Sequence, residues 1–231
     1  EEYILITSPQ DLCATEEFHN GNNSVYYMGK YDKKQHVFHY ERVYSLDDGF
    51  DFYAPQTMLA PDGRRIMIGW MQSWDSNIRP ADQKWSCMMT VPRELHIEQG
   101  RILQNPVREI ENYHRNAVYY QNKEISGNCQ MEDIHGRVLD MTVEIVRGDF
   151  HQFTISFAQN ERYHTDFTIQ KDSKMIEMNR TYSGMVRDAA AIRKSKIKTS
   201  TDKLQLRLIL DKYSAEIFLN DGQQVFSSTF Y

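Results

Sequence analysis

The chain has 231 residues, with 27 Lys and Arg against 32 Asp and Glu, which gives a formal net charge of −5. Hydrophobic residues make up 40% and aromatic residues 12%, values that exclude a disordered or collagen-like chain and are typical of a globular protein. The acidic balance argues against a dedicated nucleic-acid-binding protein, and the lack of any run of about 18 apolar residues argues against a membrane-spanning helix.

Short alternating runs rich in β-branched and aromatic residues dominate the chain and predict β-strands. These runs cover residues 3–6, 24–28, 37–40, 65–70, 139–146, 153–157, 167–169 and 204–210. Asp221-Gly222 is a turn-forming pair that predicts a hairpin between residues 215–219 and 224–228. Residues 106–115 alone have helix-like spacing and are expected to form a short connector. The sequence therefore predicts an all-β fold.

The composition changes near residues 105–118, and this change predicts a domain boundary. All three Trp and all six Pro lie before residue 107. Residues 1–113 carry a net charge of −6, and residues 114–231 carry a net charge of +1. We expect an acidic, Trp-rich part over residues 1–105, a linker over 106–117, and a second part over 118–231 that packs as a β-sandwich. The chain begins without Met and ends inside a predicted strand, so we expect a piece of a longer protein whose sandwich is incomplete at its end.

Two segments of the first part combine carboxylates, amides and aromatic rings. They are DDGFDFYAPQ at residues 47–56 and GWMQSW at residues 69–74. This mixture suits a sugar, whose hydroxyl groups need polar partners and whose C–H faces stack on aromatic rings. The same residues also suit a structural role, because Asp-Gly forms turns and aromatic residues fill β-sheet cores. The residues by themselves leave both interpretations open.

A third segment, residues 89–95, contains Pro92 followed by Arg93 and Glu94. Because proline cannot donate to a strand ladder, we expect an edge, a bulge or a strand end at this point. Arg93 beside Glu94 favours a structural ion pair. The basic run at residues 193–198 is better explained by a solvated edge strand than by a phosphate site.

The sequence offers no pattern typical of a metal site. His36 and His39 would lie on opposite faces of a strand, so they are not expected to share a metal ion. Cys13, Cys87 and Cys129 lack metal-type spacing. They are expected to be reduced thiols, which favours a reducing compartment.

Three segments in this order resemble glycoside hydrolase family 32, which contains the invertases, sucrose-6-phosphate hydrolases and fructanases. They are FYAPQT at residues 52–57, GRRIMIGWM at 63–71 and TVPREL at 90–95. LQNPV at residues 103–107 continues the match, and SAEIFLNDG at 214–222 is similar to a hairpin of the family's sandwich. The resemblance implies a five-bladed β-propeller followed by a β-sandwich. This chain would then supply roughly the last two blades, the linker and most of the sandwich.

Family 32 enzymes are retaining glycosidases, so the resemblance implies a nucleophile and an acid/base carboxyl about 5–5.5 Å apart. The family carries its nucleophile in an N-D-P-N-G motif, a transition-state-stabilising Asp in R-D-P, and the acid/base Glu in E-C. None of these motifs occurs in the sequence, so we predict no catalytic residue in the chain. No metal or organic cofactor is implied, because this hydrolysis needs only carboxylates and water.

The resemblance instead implies that the chain supplies part of the pocket wall. By match to the D-F-Y-A-x-Q motif, Asp51 is expected to face the substrate near the leaving group, and Tyr53 to reach the neighbourhood of the acid/base. Gln56 is a further candidate for substrate binding. Trp70 and Trp74 are candidate aromatic platforms.

Arg93 and Glu94 are hallmark residues of the family and are expected to be structural, pinning the last propeller strand.

The resemblance predicts the C-terminal part of a bacterial, cytoplasmic β-fructofuranosidase whose small carbohydrate substrate is sucrose, sucrose-6-phosphate or a short fructan. The 231 residues alone are expected to be inactive. The alternative is a noncatalytic carbohydrate-binding or interaction module. Because two isolated blades would leave open sheet edges, we expect either a larger molecule around them or a homo-oligomer.

Overall fold

The computed structural model describes residues 2–72, 79, 83–146, 149–184, 190–199 and 203–230. Within these residues the chain is all-β, which confirms the predicted fold class. The expected short connector is a 3-10 helix, Arg108–Tyr113. Over the same residues, no helix is both long enough and apolar enough to cross a membrane.

Residues 3–106 form two antiparallel sheets. Their strands are β1 (Tyr3–Thr7), β2 (Val25–Asp32), β3 (Val37–Ser45), β4 (Tyr53–Leu59), β5 (Arg65–Met71), β6 (Met88–Met89), β7 (Arg93–Glu98) and β8 (Arg101–Pro106). The first sheet has the order β1-β2-β3, and the second has the order β4-β5-β7-β8 with β6 paired to β5. Apolar side chains from both sheets pack into one core, which contains Tyr26, Met28, Leu46, Phe52, Met67 and Ile102.

Two further antiparallel sheets follow the connector. Their strands are β9 (Leu139–Ile145), β10 (Gln152–Phe157), β11 (Thr165–Gln170), β12 (Met175–Asn179), β13 (Ile192–Lys196), β14 (Leu204–Asp211), β15 (Ser214–Leu219) and β16 (Gln224–Thr229). One sheet has the order β10-β11-β12-β13 and the other β16-β15-β14-β9. Apolar side chains of both sheets share one core, as in a sandwich. Residues 193–196 of the basic run lie in β13, which is an edge strand as predicted, but Arg193 is buried rather than solvated.

The predicted hairpin at Asp221-Gly222 is present and joins β15 to β16. Every residue of both strands is buried, whereas buried and partly exposed residues alternate along most of β14. Ile217 packs in the sandwich core, while Glu216 and Phe218 contact Arg93 in β7. The hairpin is therefore buried on both faces, because the first part of the chain covers the face that a free sandwich would expose.

Arg93 lies in this interface and is 0% exposed. Its Nε and Nη2 donate to Glu216 Oε2 at 3.2 and 2.6 Å. Its Nη1 donates to Asp47 Oδ2 at 3.1 Å and to Gln104 Oε1 at 2.9 Å. A second hydrogen bond from Nη2 reaches Ser227 Oγ at 2.7 Å. All five guanidinium N–H groups thus have acceptors, which offsets the cost of burying the charge.

Arg93 also compensates two buried carboxylates, one on each side of the interface. Burial raises the pKa of Asp47 and of Glu216, and the Arg93 charge opposes both shifts. The guanidinium carbon lies 4.7 Å from the ring centroid of Phe52 and 5.3 Å from that of Phe218, within the range of cation–π contacts. Arg93 is therefore bound by charge and by aromatic contact to both parts of the chain.

Glu94 is also structural, but it does not pair with Arg93. Neighbouring residues of a strand point to opposite faces, so Glu94 turns away from the sandwich. It accepts hydrogen bonds from Arg64 Nη1 at 2.7 Å and from Arg108 Nε and Nη2 at 3.0 and 2.9 Å. The expected ion pair between the two neighbours is wrong, since each residue pairs with a partner on its own face.

Replacing Arg93 by Met keeps a long side chain but leaves Asp47 and Glu216 buried without a cation. We expect the free energy of unfolding to fall by about 3–5 kcal/mol. The matched control is Lys194→Met, which breaks an exposed pair with Glu177 and should cost about 1 kcal/mol or less. Urea unfolding followed by circular dichroism measures both losses. A loss for Arg93→Met no larger than that of the control would contradict the compensating role.

Glu94 should give the fold a specific acid sensitivity. The hydrogen bonds from Arg108, with a contribution from Arg64, lower the pKa of Glu94 from 4.5 to about 2. A carboxyl whose pKa is lowered by folding contributes stability above its unfolded pKa, and this contribution is lost as the pH falls toward the folded value. In Glu94→Gln, the free energy of unfolding should therefore change less between pH 4.5 and about 2.

Urea unfolding at a series of pH values checks this difference. Glu98→Gln serves as the control, because Glu98 is an exposed residue of the same strand. Equal pH dependence in Glu94→Gln and in the unmodified chain would contradict the assignment.

Candidate functional site

The loop between β3 and β4 enters the interface and runs beside β16. Asp48 N donates to Val225 O at 2.8 Å, and Phe50 N donates to Ser227 O at 2.8 Å. Gly49 fits between them because a Cβ at this position would lie 2.2 Å from the Ser227 carbonyl oxygen. The loop thus adds backbone hydrogen bonds to the edge of the sandwich sheet and then continues directly into β4.

Phe50 fixes this loop from the other side, because its ring belongs to the hydrophobic core of the sandwich. The guanidinium carbon of Arg180 lies 3.9 Å from the ring centroid, and that of Arg193 lies 5.2 Å away. Burial lowers the pKa of Arg193 to about 10, and Arg193 Nη2 donates to Asn20. The start of the candidate segment is therefore an integral part of the sandwich core.

The Asp51 carboxylate also faces the sandwich. Its Oδ2 accepts hydrogen bonds from Arg180 Nη1 at 2.6 Å, from Thr229 N at 2.8 Å and from Thr229 Oγ1 at 2.9 Å. Asp51 is 5% exposed, and a carboxylate at that depth requires a cation and hydrogen-bond donors. The structure therefore places Asp51 in an ion pair with Arg180 of the sandwich, which differs from its expected position facing a substrate.

Tyr53 and Trp70 lie side by side. They are register partners in the β4–β5 ladder, and their ring centroids are 6.3 Å apart. The Tyr53 hydroxyl donates to the Ser8 carbonyl oxygen at 3.1 Å, which connects the second sheet to the residue after β1. Tyr53 is buried and Trp70 is partly exposed, so the indole is the more accessible of the two rings.

A β-bulge separates Tyr53 from Gln56. The register moves from Tyr53 opposite Trp70 to Gln56 opposite Ile68, so β4 has one residue more than β5 over this stretch. Ala54 within the bulge has φ of +47°, a conformation that strains a residue other than glycine. Bulges redirect side chains and are common beside functional sites. Gln56 follows the bulge and is exposed.

Thr229 contacts both candidate segments. Besides donating to Asp51, its hydroxyl accepts a hydrogen bond from Gln72 Nε2 at 3.5 Å, beyond the usual N–H···O distance range. Gln72 is buried and comes two residues after Trp70. Trp74, the second candidate platform, lies outside the described residues.

Arg180 and Thr229 are the contacts that sequence reasoning missed. They lie 129 and 178 residues after Asp51, and no local motif marks them. A local signal was nevertheless present, because Asp51 stands between Phe50 and Phe52. A carboxylate flanked by two core-forming aromatic residues indicates burial, and burial requires a distant cation.

A small polar cleft lies between the first part of the chain and the sandwich. Lys198 Nζ in this cleft pairs with Asp48 Oδ1 at 2.8 Å and with Glu17 Oε1 at 2.9 Å. Burial favours the neutral amine, but the two carboxylates outweigh this effect and raise the pKa of Lys198. The positive charge of Lys198 therefore partly compensates both carboxylates across the interface.

The described part of the chain offers groups that can bind a sugar. Among its residues, no cluster of three or more His, Cys, Asp or Glu could hold a metal ion, and Cys13, Cys87 and Cys129 are free thiols. The partly exposed Trp70 ring and the exposed Gln56 amide can contact a sugar through stacking and hydrogen bonds.

Two family models match the chain. The model described as "Glycosyl hydrolases family 32 N-terminal domain" matches residues 1–106, and the model described as "Glycosyl hydrolases family 32 C terminal" matches residues 109–231. The two matches adjoin at the start of the 3-10 helix.

Individual relatives agree with the family models. The sucrose-6-phosphate hydrolase of Staphylococcus xylosus is 31% identical over 99% of this chain and 46% of its own length. The raffinose invertase of Escherichia coli is 33% identical over 98% of this chain and 47% of its own length. The chain thus spans about half the length of the curated relatives it matches.

Solved structures share the fold. A sucrose-6-phosphate hydrolase from Lactobacillus gasseri has a TM-score of 0.85 at 24% identity, over 99% of this chain and 47% of that one. A Bombyx mori β-fructofuranosidase has a TM-score of 0.76 at 25% identity, over 100% of this chain and 47% of that one. With both family models and the sequence relatives in agreement, the chain belongs to glycosyl hydrolase family 32.

Proposed function

We propose that this chain is part of a retaining β-fructofuranosidase that hydrolyses sucrose, sucrose-6-phosphate or short fructans. The observation that carries the proposal is the ordered set of motifs at residues 52–57, 63–71 and 90–95 in a family 32 sequence. Similarity to the S. xylosus sucrose-6-phosphate hydrolase and the E. coli raffinose invertase supports a small fructoside as the substrate.

In this proposal, residues 1–105 are the C-terminal part of a five-bladed β-propeller, residues 106–117 the linker, and residues 118–231 the sandwich. The sheet orders β1-β2-β3 and β4-β5-β7-β8 support it, because propeller blades are antiparallel sheets of sequential strands. Each of the two sheets then corresponds to one blade.

Tyr53, Gln56 and Trp70 are proposed to form part of the pocket wall, with Trp74 as a further aromatic platform. The contact between the Tyr53 and Trp70 rings and the exposure of Gln56 beyond the bulge support this assignment. Asp51 is proposed to support the pocket wall indirectly, because its carboxylate is bound by Arg180 and Thr229.

The reaction itself is assigned to residues outside these 231. Retaining hydrolysis requires a nucleophile and an acid/base carboxyl about 5–5.5 Å apart, and the family motifs that carry them do not occur in the sequence. The mechanism uses carboxylates and water and needs neither a metal nor an organic cofactor.

We also propose a cytoplasmic location. The three cysteines support it, because exposed, unpaired thiols such as Cys13 and Cys129 are typical of a reducing compartment.

The purified 231-residue chain should release no glucose from sucrose. Without nucleophile and acid/base, it lacks most of the acceleration of about 10⁶-fold or more that enzymes provide. An enzyme-coupled glucose assay measures this, with a sucrose-cleaving invertase as the positive control. Substantial glucose release by the 231 residues alone would contradict the predicted inactivity.

An assay for released fructose, the product common to all the proposed substrates, tests the proposed activity when the protein is produced with the coding region upstream of Glu1. That region is predicted to encode N-D-P-N-G, R-D-P and E-C, and its product should hydrolyse sucrose or sucrose-6-phosphate. An upstream reading frame without these motifs, or a product that cleaves none of sucrose, sucrose-6-phosphate and short fructans, would contradict the enzyme assignment.

A further inference from the structure

Arg180 is held in place by the sandwich independently of Asp51. Its Nε donates to the Ala190 carbonyl oxygen at 3.0 Å, and its Nη1 donates to the Thr229 carbonyl oxygen at 3.0 Å. The guanidinium also covers the Phe50 ring at 3.9 Å. A buried cation with this many fixed partners is a rigid point to which Asp51 attaches.

The attachment lies close to the proposed pocket wall. Asp51 precedes Tyr53 by two residues, so at most about 7 Å of chain separates the ion pair from the start of β4. Ala54, the next residue, has a positive φ of 47°. Such a strained residue persists only when the structure around it is firmly held. The ion pair supplies that support on one side of the bulge, and the β4–β5 ladder supplies it on the other.

The second wall segment approaches the same place. The Thr229 hydroxyl contacts both Asp51 Oδ2 at 2.9 Å and Gln72 Nε2 at 3.5 Å. Gln72 follows the Trp70 strand and has φ of +88°, another conformation that needs outside support. Thr229, at the end of β16, thus contacts both the segment that carries Tyr53 and the segment that carries Trp70.

From this geometry we propose that Arg180 and Thr229 are positioning residues for the pocket wall. They lie in the sandwich and act through Asp51 and Gln72, so the sandwich sets the placement of Tyr53 and Trp70. The structural part of this inference stands on the described contacts. Its consequence for hydrolysis rests on the proposed function.

Hydrogen exchange measured by mass spectrometry on the protein that includes the upstream region tests the structural part. Arg180→Met should cause a loss of protection over residues 52–57, and Arg180→Lys, which keeps the charge, should restore part of it. The matched control is Arg207→Met, which breaks the Arg207–Asp140 pair inside the sandwich and should leave residues 52–57 protected.

Asp51→Asn is a second variant that tests the same contact in case Arg180→Met does not fold. It removes the carboxylate charge while Arg180 keeps its carbonyl acceptors, and it should also reduce protection over residues 52–57. Thermal unfolding of every variant separates this local effect from global loss of structure. Unchanged exchange over residues 52–57 in folded Arg180→Met or Asp51→Asn would overturn the inference.

Steady-state hydrolysis tests the consequence in the protein that includes the upstream region. Misplacement of a pocket wall should lower kcat/KM for sucrose or sucrose-6-phosphate by about tenfold to a hundredfold in Arg180→Met. Arg180→Lys should recover part of the loss, and Arg207→Met should keep the original value. An unchanged kcat/KM in Arg180→Met would overturn the inference. An unmodified protein without activity would refute the proposed function instead, while the exchange result would still decide whether Arg180 holds the wall.

Discussion

The burial of one guanidinium, that of Arg93, is the constraint around which the two parts of the chain are arranged. A buried cation is tolerated only when its charge is compensated and its N–H groups have acceptors. Asp47 and Gln104 from the first part, with Glu216 and Ser227 from the sandwich, meet both demands. Neither part supplies all the acceptors that Arg93 needs. Separating the two parts would therefore leave Arg93 and its carboxylate partners without their charge compensation.

The same dependence appears in the shapes that meet at the interface. The β15–β16 hairpin is buried on both faces, so its outer face has the character of a core rather than of a surface. Gly49 lies against the Ser227 backbone where no side chain would fit, and Phe50 crosses into the sandwich core. This kind of contact resembles the interior of a single domain more than a mobile domain boundary. The loop that leads into β4 is therefore placed by the sandwich.

This arrangement gives the sandwich a role in the proposed pocket. Tyr53 and Trp70 stand on adjacent strands, but the strained residues beside them, Ala54 and Gln72, depend on neighbours for their conformation. The neighbours of Asp51 and Gln72 are Arg180, which follows β12, and Thr229, the last residue of β16. The proposed pocket wall would then be as rigid as the interface behind it.

Local features of the sequence were sufficient to predict what depends on local chemistry. The hairpin at Asp221-Gly222 follows from turn preference, and the all-β fold follows from alternating β-branched and aromatic runs. The structural character of Arg93 and Glu94 was predicted from their residue types and from the family resemblance, but neither source gave their partners. Glu216 lies 123 residues from Arg93 along the chain, and adjacency in sequence favoured the wrong pair.

The candidate site shows the same limit. Tyr53 and Trp70 were predicted as separate candidates, and they are in contact because paired strands bring register partners together. Asp51 was expected to face a substrate, and in the structure its carboxylate faces Arg180. Residue type alone does not distinguish a carboxylate that binds a sugar from one that binds a distant cation.

Calorimetric unfolding of the protein that includes the upstream region tests most directly whether the two parts form one unit joined through the Arg93 interface. The structure predicts a single transition in which the calorimetric and van't Hoff enthalpies agree, as for one cooperative unit. Two separate transitions, with the sandwich remaining folded after the first part has melted, would contradict this account.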